Sequence, residues 1–156
     1  MDKVPMTPTG HETLTKELHD LKHRQRPDVI QAISEAREHG DLSENAEYHA
    51  AKEQQSFIEG RIEELESVLS RSNVIDPLKL SGDTVKFGAT ITVEDEDGNA
   101  KTYQLVGDYE SDIAGGKLAL AAPLARGLIG KSVGDTTIVR TPKGEIEYEL
   151  TKIEFK

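Results

Sequence analysis

Two series of mostly apolar residues recur at spacings of three and four on either side of a short acidic turn, and this arrangement constrains the fold more than anything else in the chain. The first runs Leu14, Leu18, Leu21, Gln25, Val29, Ile33 and Ala36, and the second runs Ala51, Gln55, Ile58, Ile62, Leu65 and Leu69. Each is one narrow stripe on a helix otherwise rich in charge, the pattern of a coiled-coil seam. Two such seams can bury each other only if the chain reverses between them. The reversal falls in Gly40-Asp41-Leu42-Ser43-Glu44-Asn45-Ala46-Glu47-Tyr48. At a rise of 1.5 Å per residue, about thirty residues per arm give a hairpin roughly 45 Å long with that turn as its tip. Such a tip can reach into a deep channel.

Local signals set the limits of the arms. Thr7 can cap a first helix that Pro8 opens, because a missing N–H costs nothing at the first helical position. Pro27 interrupts the first arm while the apolar spacing continues across it, which predicts a kinked helix or two abutting helices. Gly40 suits the C-terminal cap, and Gly60 weakens the second arm by roughly 1 kcal/mol relative to Ala, for which close packing or slight flexibility is the available reason. Beyond Asp76-Pro77 the pattern turns to strands. Residues 89–94 and 101–106 form a pair across Asp97-Gly98, 117–121 is a weaker candidate, and 136–140 with 145–153 form a second hairpin across Thr141-Pro142-Lys143-Gly144. Pro123 to Gly130 reads as one short helix or an apolar loop. The expected architecture is α+β: a coiled-coil hairpin over residues 1–75, then a small antiparallel-sheet domain over 76–156.

Composition narrows the function. With 35% hydrophobic residues, 31% charged and no Trp, the chain suits a high-surface hairpin joined to a small globule better than one large core. The absence of Cys excludes disulfides, thiolate zinc sites and cysteine nucleophiles. No signal peptide and no apolar run of membrane length is present, so the expectation is a cytoplasmic protein without a membrane partner. A formal charge of −10, spread over both halves, argues against unaided binding to duplex nucleic acid. A protein partner has to bring the chain near it.

Asp41 and Glu44 are the candidates for chemistry, with two readings. In one they form a capping box, Asp41 at the N-cap of the second helix and Glu44 at its third position. In the other they face outward and hold a hard divalent cation, since Mg²⁺ takes one or two carboxylates and completes its octahedron with water and phosphate oxygens. Arg37 and Lys52 flank the turn on opposite arms, and either pair with surface carboxylates or guide an RNA strand. Lys22, Arg24 and Arg26 read as ion-pairing residues. The histidines at 11, 19, 23, 39 and 49 include a four-residue spacing at His19 and His23, but with no HExxH and no third ligand they read as solvated helix-face residues.

The run from Glu35 to Gln55, with Asp41-Leu42-Ser43-Glu44-Asn45-Ala46-Glu47-Tyr48 at its centre, resembles the hairpin tip of the bacterial transcript cleavage factors. Pro5-Met6-Thr7, Glu59-Gly60-Arg61-Ile62, Phe87-Gly88-Ala89 and Ala125-Arg126-Gly127-Leu128-Ile129-Gly130-Lys131 are similar to the same family, so the likeness spans nearly the whole chain. The resemblance implies a second domain similar to the FK506-binding fold, and a monomer whose hairpin enters the secondary channel of a backtracked RNA polymerase. It implies further that Asp41 and Glu44 help to hold a second catalytic Mg²⁺, shared with the polymerase and not bound tightly alone. The nascent RNA 3′ end is then cleaved by the polymerase, and the chain is a cofactor protein that donates carboxylates in trans, not a complete enzyme. Docking at the channel rim falls to the apolar stretch Pro123, Leu124, Leu128 and Ile129. Alternatives are a fold relative that occupies the channel and inhibits without cleavage, a prolyl isomerase or chaperone, and a coiled-coil adaptor whose carboxylates only cap a helix.

Overall fold

A computed structural model describes residues 2–40 and 44–156. It divides into two compact units, one of residues 11–72 and the other of residues 2–10 together with 73–156. Near the N-terminus, Val4–Met6 (β1) form a strand absent from the sequence reading, pairing with β2 (Ser72–Val74) in a two-stranded ribbon.

The helical arms form as the seams require. Helix α1 spans Pro8–Asp20, with the Thr7 hydroxyl accepting from the Gly10 N–H at 3.0 Å as an N-cap. Helix α2 spans Arg26–Arg37, and α3 spans Ala46–Ser70. The two arms run antiparallel: Lys22 lies 3.6 Å from Glu66, Arg26 forks onto both oxygens of Glu59 at 2.8 Å each, and Arg37 shares a groove with Lys52 and Gln55. Arg61 likewise grips Glu17 through two nitrogens, at 2.6 and 3.0 Å, and also bonds Glu64. Leu14, Leu21, Val29, Ile33 and Ala36 are buried on one arm, and Ala51, Ile58, Ile62 and Leu65 on the other. Each large side chain withdrawn from water contributes about 1.5–3 kcal/mol. At the end of the second stripe the fully buried residue is Val68, not the expected Leu69, which is only partly covered.

Pro27 neither breaks the arm nor ends it. A π-helical turn over Leu21–Gln25 joins α1 to α2, its closing bond running from the Arg26 N–H to the Leu21 carbonyl, and Pro27 sits in the first turn of α2. The seam explains the device. Leu21 to Val29 is eight residues, and at about 100° per residue a straight α-helix overshoots two turns by about 80° over that span. The wider i→i+5 turn rotates less per residue, which returns Val29 to the buried face. A proline tolerated at a helix start then carries no interior penalty.

The second unit holds a five-stranded sheet of β3 (Thr90–Glu94), β4 (Ala100–Val106), β5 (Lys117–Ala119), β6 (Thr136–Thr141) and β7 (Gly144–Glu154), in the order β5-β4-β3-β7-β6. It is not wholly antiparallel as expected, because β5 pairs parallel to β4 along Gln104↔Lys117 to Val106↔Ala119. Residues 107–116 make the crossover that a parallel pair requires and a tight turn cannot supply. On β3, alternation sends Ile91 and Val93 into a core shared with Leu105, Leu118 and Leu150. Helix α4 (Pro123–Leu128) closes that core with Leu124, Ala125 and Leu128. It lies so close to β6 that a Cβ at Gly127 would stand 2.2 Å from the Thr137 hydroxyl, so only glycine fits there.

Candidate functional site

Among the described residues, one side chain ties the two arms together at the tip. Helix α2 stops as the Glu38, His39 and Gly40 N–H groups donate three residues back, to Glu35, Ala36 and Arg37, and Gly40 takes φ 102°, a conformation that disfavours any other residue. Helix α3 begins at an Asn45 N-cap: the Asn45 Oδ1 accepts from the Tyr48 N–H at 3.0 Å. The Nδ2 of the same amide donates to the Ala36 carbonyl at 2.6 Å, tying the end of one arm to the start of the other.

This arrangement corrects the capping-box reading. The N-cap is Asn45, so Glu44 precedes the helix instead of occupying its third position. An amide that donates as well as accepts can serve both arms, which a carboxylate at the cap cannot do. Glu44 is exposed and lines an open surface groove with His39, Asn45, Ala46 and Glu47, in which the His39 Nε2 lies 3.9 Å from a Glu47 oxygen. Asp41 lies outside the described residues.

The flanking cations converge. Arg37, from α2, and Lys52, from α3, border one groove with Ile30, Ile33, Ser34 and Gln55. The Arg37 guanidinium stands 5.8 Å from the centre of the Tyr48 ring, a cation–π placement, and the Lys52 Nζ lies 3.4 Å from the Gln55 Oε1. Lys22, Arg24 and Arg26, by contrast, all engage carboxylates, namely Glu66, Asp20 and Glu59. His19 and His23 stack at 4.1 Å between ring centres, and the His23 Nδ1 lies 3.0 Å from the His19 carbonyl oxygen.

The expected docking stretch divides in two. Leu124 and Leu128, at 9% and 0% exposure, are core residues and present no surface to a partner. Leu124 and Leu128, four residues apart, lie on the face α4 turns to the sheet. Pro123 is exposed and Ile129 is 45% exposed, and Val133 and Ile138 are exposed apolar residues that the sequence reading did not single out. Tyr103, Tyr148 and Phe155, three of the five aromatic residues in 76–156, pack against the core and are not free to line an isomerase-type pocket. No described helix is long and apolar enough to cross a membrane.

A helical hairpin with an exposed acidic tip, followed by a sheet unit, is a two-part architecture, and both parts match described families. Residues 4–74 match "Transcription elongation factor, N-terminal", and residues 80–155 match "Transcription elongation factor, GreA/GreB, C-term". The chain belongs to the GreA/GreB family of transcription elongation factors. It is 59% identical to the transcription elongation factor GreA of Rhodospirillum rubrum and 58% identical to that of Ruegeria pomeroyi, with 99% of each chain covered in both comparisons. Among solved structures, the GreA factor homolog 1 (Gfh1) of Thermus thermophilus is 29% identical, with a TM-score of 0.45 over 97% of this chain and 99% of that one.

Proposed function

We propose that the chain rescues backtracked or arrested RNA polymerase by placing Asp41 and Glu44 in the polymerase active centre, where they stimulate endonucleolytic cleavage of the nascent RNA 3′ end. One observation carries the reading: Glu44 is exposed and stands outside the helix cap, because Asn45 does the capping. A carboxylate that the fold does not use is available to a partner. Glu44 is one contributor to a site that the polymerase completes. Its oxygen donors suit Mg²⁺, and when bound that ion would neutralise charge on the attacking and leaving oxygens of an in-line hydrolysis.

The chain's own part is positioning. Arg37 and Lys52, on one groove behind the tip, attract the phosphates of the displaced RNA. The exposed Pro123 and Ile129 supply apolar contacts at the channel rim. The protein acts as a cytoplasmic, monomeric cofactor of the polymerase and not as a complete enzyme.

The test is a halted, backtracked polymerase complex in which RNA shortening is followed with and without the chain. Asp41→Ala and Glu44→Ala are each expected to lose about a hundredfold or more in cleavage rate while still competing with wild type for the polymerase, the usual scale for removing one group that stabilises developing charge. Wild-type cleavage by both variants would remove the metal role.

A further inference from the structure

We infer that Asn45 is a positioning residue for this reaction: its side-chain amide closes the base of the tip and thereby fixes the direction in which Glu44 is presented. The inference rests on the reading of Glu44 above. Among the described residues, Ala36 carries the last buried side chain of the first seam and Ala51 the first of the second, so no described side chain packed in the apolar core orients Glu44. The segment between Ala36 and Asn45 is instead closed by the Asn45 Nδ2 on the Ala36 carbonyl at 2.6 Å, while Oδ1 of the same amide starts α3 at 3.0 Å.

The Ala36 carbonyl already accepts from the His39 N–H at 3.1 Å, so the Asn45 bond fills its second lone pair. Losing it strands no buried group and mainly frees the geometry. Glu44 is one peptide unit from this pinned side chain. Tyr48, whose N–H makes the other half of the clasp, carries the ring that faces Arg37. One amide therefore sets the carboxylate and, through Tyr48, the cation behind it.

The two halves of the clasp are separable. Asn45→Asp and Asn45→Ser both keep an N-cap acceptor for the Tyr48 N–H, and neither can reproduce the donation to Ala36 with the same reach. The experiment titrates each variant against the backtracked polymerase complex and reads the maximal cleavage rate at saturation separately from the half-saturating concentration, with Glu44→Ala alongside. The expected result is a maximal rate lowered about tenfold or more, since a misplacement near 1 Å can cost about a hundredfold, with the half-saturating concentration changed less than about twofold. The double variant Glu44→Ala/Asn45→Ser should then be no slower than Glu44→Ala alone, because Asn45 acts through Glu44.

A purely structural role gives the opposite split, a weaker half-saturating concentration with an unchanged maximal rate, and overturns the inference. If Glu44→Ala itself cleaves like wild type, the metal reading fails and this inference with it. If Glu44→Ala is inactive while both Asn45 variants reach the wild-type maximum, only the positioning role is lost. Helix content by circular dichroism identifies any variant that fails to fold, and the serine variant, which adds no charge beside Glu44, then decides.

Discussion

Glu110 offers the sharpest test of how the N-terminal segment is held, because a single carboxylate there serves three donors. The Thr7 N–H donates to Oε2 at 3.0 Å, the Gly107 N–H donates to the same oxygen at 2.9 Å, and the Thr7 hydroxyl donates to Oε1. Thr7 is 5% exposed, so its groups have little water to fall back on. A hydrogen bond to a charged group contributes about 1.5–3 kcal/mol. Three of them, discounted by roughly half because Glu110 is itself partly exposed and truncation admits water, put Glu110→Ala at about 3 kcal/mol. Glu110→Gln should cost only about 1 kcal/mol, because its carbonyl can take both N–H groups while the Thr7 hydroxyl rotates to accept from the amide. Urea unfolding, read by near-ultraviolet circular dichroism of the tyrosines, measures both, since Tyr103, Tyr109 and Tyr148 all lie in the unit that contains Thr7 and Glu110. With a slope near 1–3 kcal/mol per molar, the alanine midpoint should fall by about 1–3 M. An alanine variant within about 0.5 kcal/mol of wild type would refute the reasoning, as would a glutamine variant as weak as alanine.

Two further outcomes test the helical arms. Gly60 is exposed in mid-helix and a Cβ there meets nothing within 4 Å, so Gly60→Ala should raise the stability of the hairpin by about 0.5–1 kcal/mol in thermal melts at 222 nm, and a loss would mean the position is packed after all. The Arg24 guanidinium, and after it the Gln25 amide, holds the Asp20 carboxyl at about 2, below its ordinary 3.8. A lowered carboxyl stabilises the fold fully above its ordinary pKa and stops doing so as the pH falls through the folded value. The stability difference between wild type and Arg24→Gln should therefore be present above about pH 4 and vanish towards about pH 2; a difference that persists at pH 2 would contradict the pairing.

How much of this was legible in the sequence follows from what each residue answers to. Most seam residues and the strand alternation at Ile91 and Val93 answer to periodicity, which is written locally, and they stand where the spacing put them, Leu18 and Leu69 being only half-buried. The π turn was written there too, in the eight-residue step from Leu21 to Val29, but it could be decoded only by asking how far a straight helix rotates over that span. Leu124 and Leu128 are buried where docking was expected, because an apolar stretch looks the same whether it faces a partner or its own sheet. The bond from Thr7 to Glu110 joins residues 103 apart, and no local signal announces it. At the tip, Asp41-Leu42-Ser43-Glu44 had the spacing of a capping box, yet Asn45 won the cap. Only Asn45 can also donate to Ala36, and that advantage exists only once the two arms are side by side.

This has a consequence for where chemistry can sit on such a hairpin. Among the described residues between Ala36 and Ala51 no side chain is fully buried, and only Asn45 and Tyr48 are half-buried. Below that point the arms are pinned by bidentate pairs that fix register more than they add stability, Arg26 on Glu59 and Arg61 on Glu17. The exposed described residues of the tip, Glu44 and Glu47, can therefore change at small cost to the fold, provided Gly40 keeps its positive φ and Asn45 keeps both of its bonds. Glu44 is free to be chosen for its charge because the burden of starting α3 falls on the residue after it. Separating the group that holds the turn from the group that acts at it lets the hairpin carry an exposed carboxylate at its end without unravelling there.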